Sequence, residues 1–322
     1  MLKQFGVIGL ASIVISLTAS TSFGQEITRI RTEDKCEAVA KIIDGDSRHK
    51  PMSRLCQEDK ISADNGGTVR IFCFPLGKIL SISRGGVISN HCSLQGQRVR
   101  GCSLLNRERC VVVKGPSEDQ LKRITPYGIM NINSRPALSW TPISSVTKYS
   151  VGIKGVGTNW KVEVEGNSLI YPKDKPALEL GNVYVVTIIA LKKEEVLDSS
   201  SFALLVLSEE QVQEIAETID TLKSLGQPED ELAIDLDTVY SAHNLVDESI
   251  KVLNFRVKAG SNNATIYRLL GDRYLMANLP QEANKVYLRA KELAQKEGDS
   301  LELEKIQVRI RITTEYISSQ LK

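Results

Sequence analysis

The segment Ile42-Ile43-Asp44-Gly45-Asp46-Ser47 sets a serine behind an apolar run and a glycine. A hydroxyl so placed can serve as a nucleophile if a histidine takes its proton and a carboxylate orients that histidine. The chain has three histidines, His49, His91 and His243, and they fall in three different segments, so such a site would have to be assembled across domains. The six cysteines are Cys36, Cys56, Cys73, Cys92, Cys102 and Cys110. They form no C-x-x-C pair and only His91 stands beside one of them, which argues against a zinc site. Gly152, Gly155 and Gly157 do not make G-x-G-x-x-G, and no phosphate loop is present. The carboxylate run Glu229-Asp230-Glu231 reads as a solvated helix start. These absences predict a protein that is not an enzyme and that carries no cofactor and no metal.

Two local likenesses to enzyme families do not change that expectation. Gly45-Asp46-Ser47 resembles the nucleophile block of GDS-type lipases and esterases, but that family needs an Asp-x-x-His well downstream, and neither His91 nor His243 has an aspartate three residues before it. Ser47-x-x-Lys50 and Ser145-x-x-Lys148 resemble the Ser-x-x-Lys element of penicillin-recognising enzymes, without the further motifs those enzymes need.

The elements that carry these residues are legible from composition and periodicity. With 42% hydrophobic and 25% charged residues, the 322-residue chain has the balance of folded protein and room for two or three domains. The net charge of +2 divides into +8 before Ser208 and −6 from it onward, too modest an asymmetry to predict a nucleic-acid partner. Lys3, the uncharged apolar residues 5–19 and the small Ser22 and Gly24 predict a secretory signal peptide over residues 1–24. The apolar run is shorter than the about 20 residues of a spanning helix, so no stable membrane span is expected after cleavage. All six cysteines lie within residues 36–110, which makes them disulfide candidates in a stapled small domain of an exported protein, with the connectivity open. The expected location is periplasmic or secreted.

Residues 25–122 read as a small cysteine-containing β domain, with strand-like runs at 38–43, 68–74, 78–83 and 109–113. The order of an opening strand, Asp59-Lys60-Ile61, Asn65-Gly66-Gly67-Thr68-Val69-Arg70-Ile71 and Gly77-Lys78-Ile79-Leu80 resembles the FecR-type β domain of bacterial envelope proteins. Residues 123–207 contain the alternating runs Pro136-Ala137-Leu138-Ser139-Trp140, Tyr149-Ser150-Val151-Gly152-Ile153, Trp160-Lys161-Val162-Glu163-Val164 and Tyr184-Val185-Val186-Thr187-Ile188. With Leu180-Gly181 ahead of Tyr184, as in a tyrosine corner, this segment resembles a fibronectin type III-like β-sandwich, a family of spacer and binding modules without catalytic residues.

From Glu209 the hydrophobic period changes from 2 to 3.6, as in Val212, Ile215, Ile219 and Leu222. Residues 208–322 are therefore an all-α array behind two all-β domains. A 34-residue shift lays Leu236 on Leu270, Tyr240 on Tyr274, Ser249 on Ala283 and Leu253 on Tyr287. Tyr267, Leu270, Gly271, Tyr274, Ala283, Tyr287 and Ala290 match the small and bulky places of a tetratricopeptide repeat, with Gln295 where a proline is usual. In the preceding unit Asp237 replaces the small residue and Arg256 the second alanine, which predicts a repeat that is splayed or carries those charges at its surface. Residues 301–322 are expected to supply a capping helix, although Ile306, Val308, Ile310 and Ile312 alternate as a strand would.

The tetratricopeptide resemblance implies a partner-binding groove lined by Thr265, Arg268, Asp272, Leu275 and Met276, with Glu231, Ile234, Thr238, Ser241 and Ala242 in the less regular repeat. The expected function is a non-enzymatic envelope adaptor or scaffold that binds an envelope protein or peptide. The alternative is a cell-wall or surface-glycan module acting through the β domains, with Trp160 as a contact and the repeats structural. A third reading, regulation of an envelope signalling system, follows from the FecR-type likeness alone.

Overall fold

The computed structural model describes residues 36–63, 67–93, 121 and 123–320. The segment read as a signal peptide, the run at 109–113, Cys102 and Cys110 lie outside them.

The first group of strands is β1 (Ala40–Asp44), β2 (Arg54–Leu55), β3 (Lys60–Ile61), β4 (Val69–Cys73), β5 (Lys78–Ile82) and β6 (Gly86–Val87). They form an antiparallel sheet in the order β2-β1-β4-β5 and a small β3-β6 pair. Pleating sends successive side chains to opposite faces. Ala40 and Ile42 of β1, with Val69, Ile71 and Cys73 of β4, fill the domain's own core. Ile43 and Phe72 instead join a second cluster shared with the helices. Strand β1 is thus buried on both faces from Ala40 to Ile43, and that stretch is apolar except at Lys41. Cys73 is bridged to Cys92, across a separation of 19 residues, and Cys36 and Cys56 are disulfide-bonded as well.

The second group is β7 (Arg123–Thr125), β8 (Met130–Asn131), β9 (Leu138–Trp140), β10 (Lys148–Gly155), β11 (Thr158–Val164), β12 (Ser168–Leu169), β13 (Val183–Lys192) and β14 (Glu195–Val206). Two sheets, β11-β10-β13-β14-β8 and β12-β9-β7, enclose a core of Trp140, Tyr149, Val151, Ile153, Tyr184, Val186 and Ile188. The Trp140 and Tyr149 rings pack at 5.3 Å. The Tyr184 hydroxyl accepts the Glu179 N–H at 2.8 Å, the expected corner.

Six helices follow among the described residues: α1 (Glu209–Ser224), α2 (Glu229–Ala242), α3 (Val246–Lys258), α4 (Ala264–Met276), α5 (Pro280–Glu297) and α6 (Ser300–Gln320). Ser208 and Gln211 form a reciprocal capping box at the start of α1. The hairpins α2-α3 and α4-α5 turn through Asn244 and Asn278, both left-handed and 34 residues apart. Each turn is closed by the same bond, Leu245 N–H to Tyr240 O at 2.9 Å and Leu279 N–H to Tyr274 O at 2.8 Å. The strand-like alternation near residue 310 is overridden, because Glu302, Ile306, Thr313 and Tyr316 are buried at helical spacing. The small helical penalty of β-branched residues is outweighed by burying that face on α5. The exposed positions of α6 include Glu304, Gln307, Arg311, Thr314 and Glu315, together with the apolar Leu301 and Val308.

The element groups meet in one shared cluster. Ile43 and Phe72 of the first sheet, Leu207 after the sandwich, and Ile215, Leu222, Val239 and Leu245 of the helical region are buried together. The described residues from Ala38 onward form a single compact unit.

Candidate partner-binding surface

Helix α4 begins at Asn263, whose side chain accepts the Thr265 N–H at 2.9 Å. Halfway along it, Gly271 faces the buried ring of Tyr287 on α5, and a Cβ there would stand 2.3 Å from that ring. The absent side chain is what brings the two helices together.

On either side of Gly271 the helix carries charge inward. Arg268 donates to Glu302 of α6 at 2.5 Å and to Asp272 at 3.2 Å. Asp272 also accepts from Arg309 of α6 at 2.6 Å and from the Tyr287 hydroxyl at 2.6 Å. Burial, and then the Asp272 carboxylate, push the Tyr287 hydroxyl far above its ordinary pKa, so it remains a donor. On the other side, Arg273 grips Asp237 of α2 through two bonds of 2.8 Å. Helices α2, α4 and α6 are therefore tied by arginine–carboxylate pairs.

Asp237 is 1% exposed, so its charge does not lie at the surface. Arg273 neutralises the buried carboxylate. Arg256 is held by Asp230 at 2.8 Å and by Glu229.

The ten positions expected to line a groove are not equally free. Arg268 and Asp272 are buried within the network, and Leu275 is 2% exposed in the α4-α5-α6 core. Thr265 and Met276 are half-buried, and the Met276 sulfur accepts from Arg273 at 3.2 Å. On α2, Glu231 pairs with Arg54 of β2 at 2.9 Å, and Ala242 lies against the β4-β5 turn, where a Cβ on Gly77 would stand 2.5 Å from it. Between them, Asp235 takes a 2.6 Å bond from Lys41 of β1, and Gln227 bonds both. Burial raises the Asp235 pKa and the Lys41 ammonium pulls it back. The first β sheet therefore occupies much of the α2 face. Ile234, Thr238 and Ser241 stay half-buried.

Lys41, Asp237, Glu302 and Arg309 were not among the expected site residues. A signal existed, since Arg268 and Glu302 are 34 residues apart, the same interval at which the sequence aligns with itself.

Of the residues considered for catalysis, Asp46 lies 3.6 Å from His49 Nδ1, and the others are engaged separately. The Ser47 hydroxyl donates to the Ser62 carbonyl at 3.1 Å, and Asp46 accepts the backbone N–H groups of Arg48 and His49. His243 Nδ1 lies 2.9 Å from the Val239 carbonyl, and Lys148 pairs with Glu163 at 2.9 Å. Among the described residues, no group of three or more His, Cys, Asp or Glu side chains is placed to hold a metal ion. Among them also, no helix is long and apolar enough to cross a membrane.

In the sandwich, Trp160 is half-buried. Its ring packs edge-on to Tyr171 at 5.3 Å, and its N–H points to the Tyr171 hydroxyl at 3.4 Å. Beside it a shallow depression of ≈ 370 Å³ opens on the outer face of the larger sheet.

No protein-family model matches the chain, nor does any curated protein sequence. Solved structures resemble part of it. The solution structure of protein BPP2914 from Bordetella parapertussis is 19% identical, covering 32% of this chain and 89% of that one, with a TM-score of 0.28. The fibronectin type III domain of human collagen alpha-1(XX) chain is 20% identical, covering 30% of this chain and 91% of that one, with a TM-score of 0.22.

Proposed function

We propose that the protein is a non-enzymatic adaptor of the bacterial envelope, whose tetratricopeptide-like helices hold a partner protein or peptide while the FecR-like and fibronectin type III-like β domains fix its position. The observation that carries this reading is the repetition of one helix-hairpin turn, with left-handed Asn244 and Asn278 spaced by 34 residues. The close approach of Gly271 to Tyr287 supports it. The Cys73–Cys92 bridge is compatible with an oxidising, extracytoplasmic compartment.

Partner contact then falls on the strip left between the internal ties: Ile234, Thr238 and Ser241 of α2 with Thr265 and Met276 of α4. Arg268 and Asp272 act behind it as struts. Aliphatic, hydroxyl and thioether groups suit an apolar side chain of the partner better than a strongly charged one.

The test is affinity capture from envelope extract with the wild-type protein beside Ser241→Arg/Thr265→Arg, which sets two long cations on the strip. A protein retained by the wild type and lost from an equally stable variant supports the adaptor. Equal retention by both, or retention of polysaccharide instead, moves the function to the β domains.

A further inference from the structure

The outer face of the larger sandwich sheet contains a glycine that the fold does not require. Gly152 sits in the middle of β10, in register with Lys161 of β11 and Thr187 of β13. Its backbone is outside the left-handed region, and a Cβ would meet only the Trp160 carbonyl oxygen, at an ordinary 3.5 Å. Interior strand positions favour β-branched residues, and a glycine there often marks close approach of a ligand or another chain. Its missing side chain helps form the ≈ 370 Å³ depression.

The lining is chemically specific. Ser150 is 1% exposed, and its hydroxyl has no hydrogen-bond partner among the described residues. Val185 and Ile189 supply an aliphatic wall, and Lys154 and Lys161 are exposed at the rim. Neither lysine forms a salt bridge among the described residues, whereas nearby Lys148 and Glu163 neutralise each other at 2.9 Å. A buried hydroxyl without a partner costs free energy that a ligand acceptor would recover.

We propose that this depression binds an acidic peptide segment, with one carboxylate between Lys154 and Lys161 and above the Ser150 hydroxyl, and a neighbouring aliphatic side chain against Val185 and Ile189. The wall is aliphatic and the Trp160 ring is engaged by Tyr171, so the depression has no free aromatic platform of the kind on which sugars stack. The site is independent of the helical strip and would hold even if that strip bound nothing.

The experiment is calorimetric titration of the full chain at low salt with a short peptide alternating valine and glutamate. Its glutamine counterpart and a charge-matched oligogalacturonate serve as comparators. The glutamate peptide is expected to bind. Gly152→Val fills the depression and should weaken binding at least about tenfold with an unchanged melting temperature. Lys154→Gln/Lys161→Gln, confined to exposed side chains, should weaken it about fivefold and flatten its salt dependence. No binding, equal binding of the glutamine peptide, preference for the oligogalacturonate, or full affinity in a folded Gly152→Val protein would each overturn the proposal. Should Gly152→Val fail to fold, full affinity in the lysine variant would do so.

Discussion

Lys41 and Asp235 are joined by a 2.6 Å ion pair in which the two side chains are 1% and 3% exposed. It lies between the first β sheet and helix α2, 194 residues apart in sequence, and Gln227 bonds both partners. Breaking a buried pair strands a charge, whereas replacing both partners with apolar groups removes the desolvation cost together with the attraction.

Lys41→Met should therefore cost about 3–5 kcal/mol, and Lys41→Met/Asp235→Leu should recover most of that loss. Urea denaturation of the two variants measures the difference. A double variant as unstable as the single one would mean that the charges are needed for the docking itself.

Gly271→Ala should destabilise the helical array by about 1–3 kcal/mol, since the new methyl group meets a fully buried ring. The added atom would stand 2.3 Å from Tyr287, and neither helix can withdraw without opening the α4-α5 core. Thermal unfolding followed by circular dichroism is the check. An unchanged or raised midpoint would show that helix propensity outweighs the contact.

Glu248 is half-buried on α3, and one of its carboxylate oxygens is buried and lacks a hydrogen-bond partner among the described residues. Burial raises its pKa, Lys251 lowers it in part, and Asp247 raises it further. A folded-state pKa above the unfolded one means that the group favours folding below the ordinary carboxyl range, and that this contribution is lost as pH rises through the raised value. Glu248→Gln should thus be more stable than the wild type at pH 7, by about 1 kcal/mol, with the advantage vanishing in acid. Parallel denaturation curves at the two pH values decide it.

Much of the architecture was readable before any coordinates. Alternation in Tyr149-Ser150-Val151-Gly152-Ile153 and the helical spacing of Ile215, Ile219 and Leu222 follow from which side chains must leave water, and that is a local property. The cysteines showed that the first domain is stapled, but their spacing could not choose the Cys73–Cys92 pairing, which depends on β4 passing beside the chain that follows β6. Alternation misled at Ile306, Val308, Ile310 and Ile312, because a period-2 and a period-3.6 pattern share positions four residues apart and only the neighbouring α5 selects between them.

By itself the sequence determined the order of β then α elements, their periodicities, and the 34-residue interval, because each depends on residues close together along the chain. Tertiary structure alone decided where the charges go. Asp237 reads as a surface residue until Arg273 is brought against it, and Arg268 and Asp272 read as groove contacts until α6 delivers Glu302 and Arg309. The cost of burying an ion depends on the partner that arrives from a distant segment, and no local pattern records that arrival.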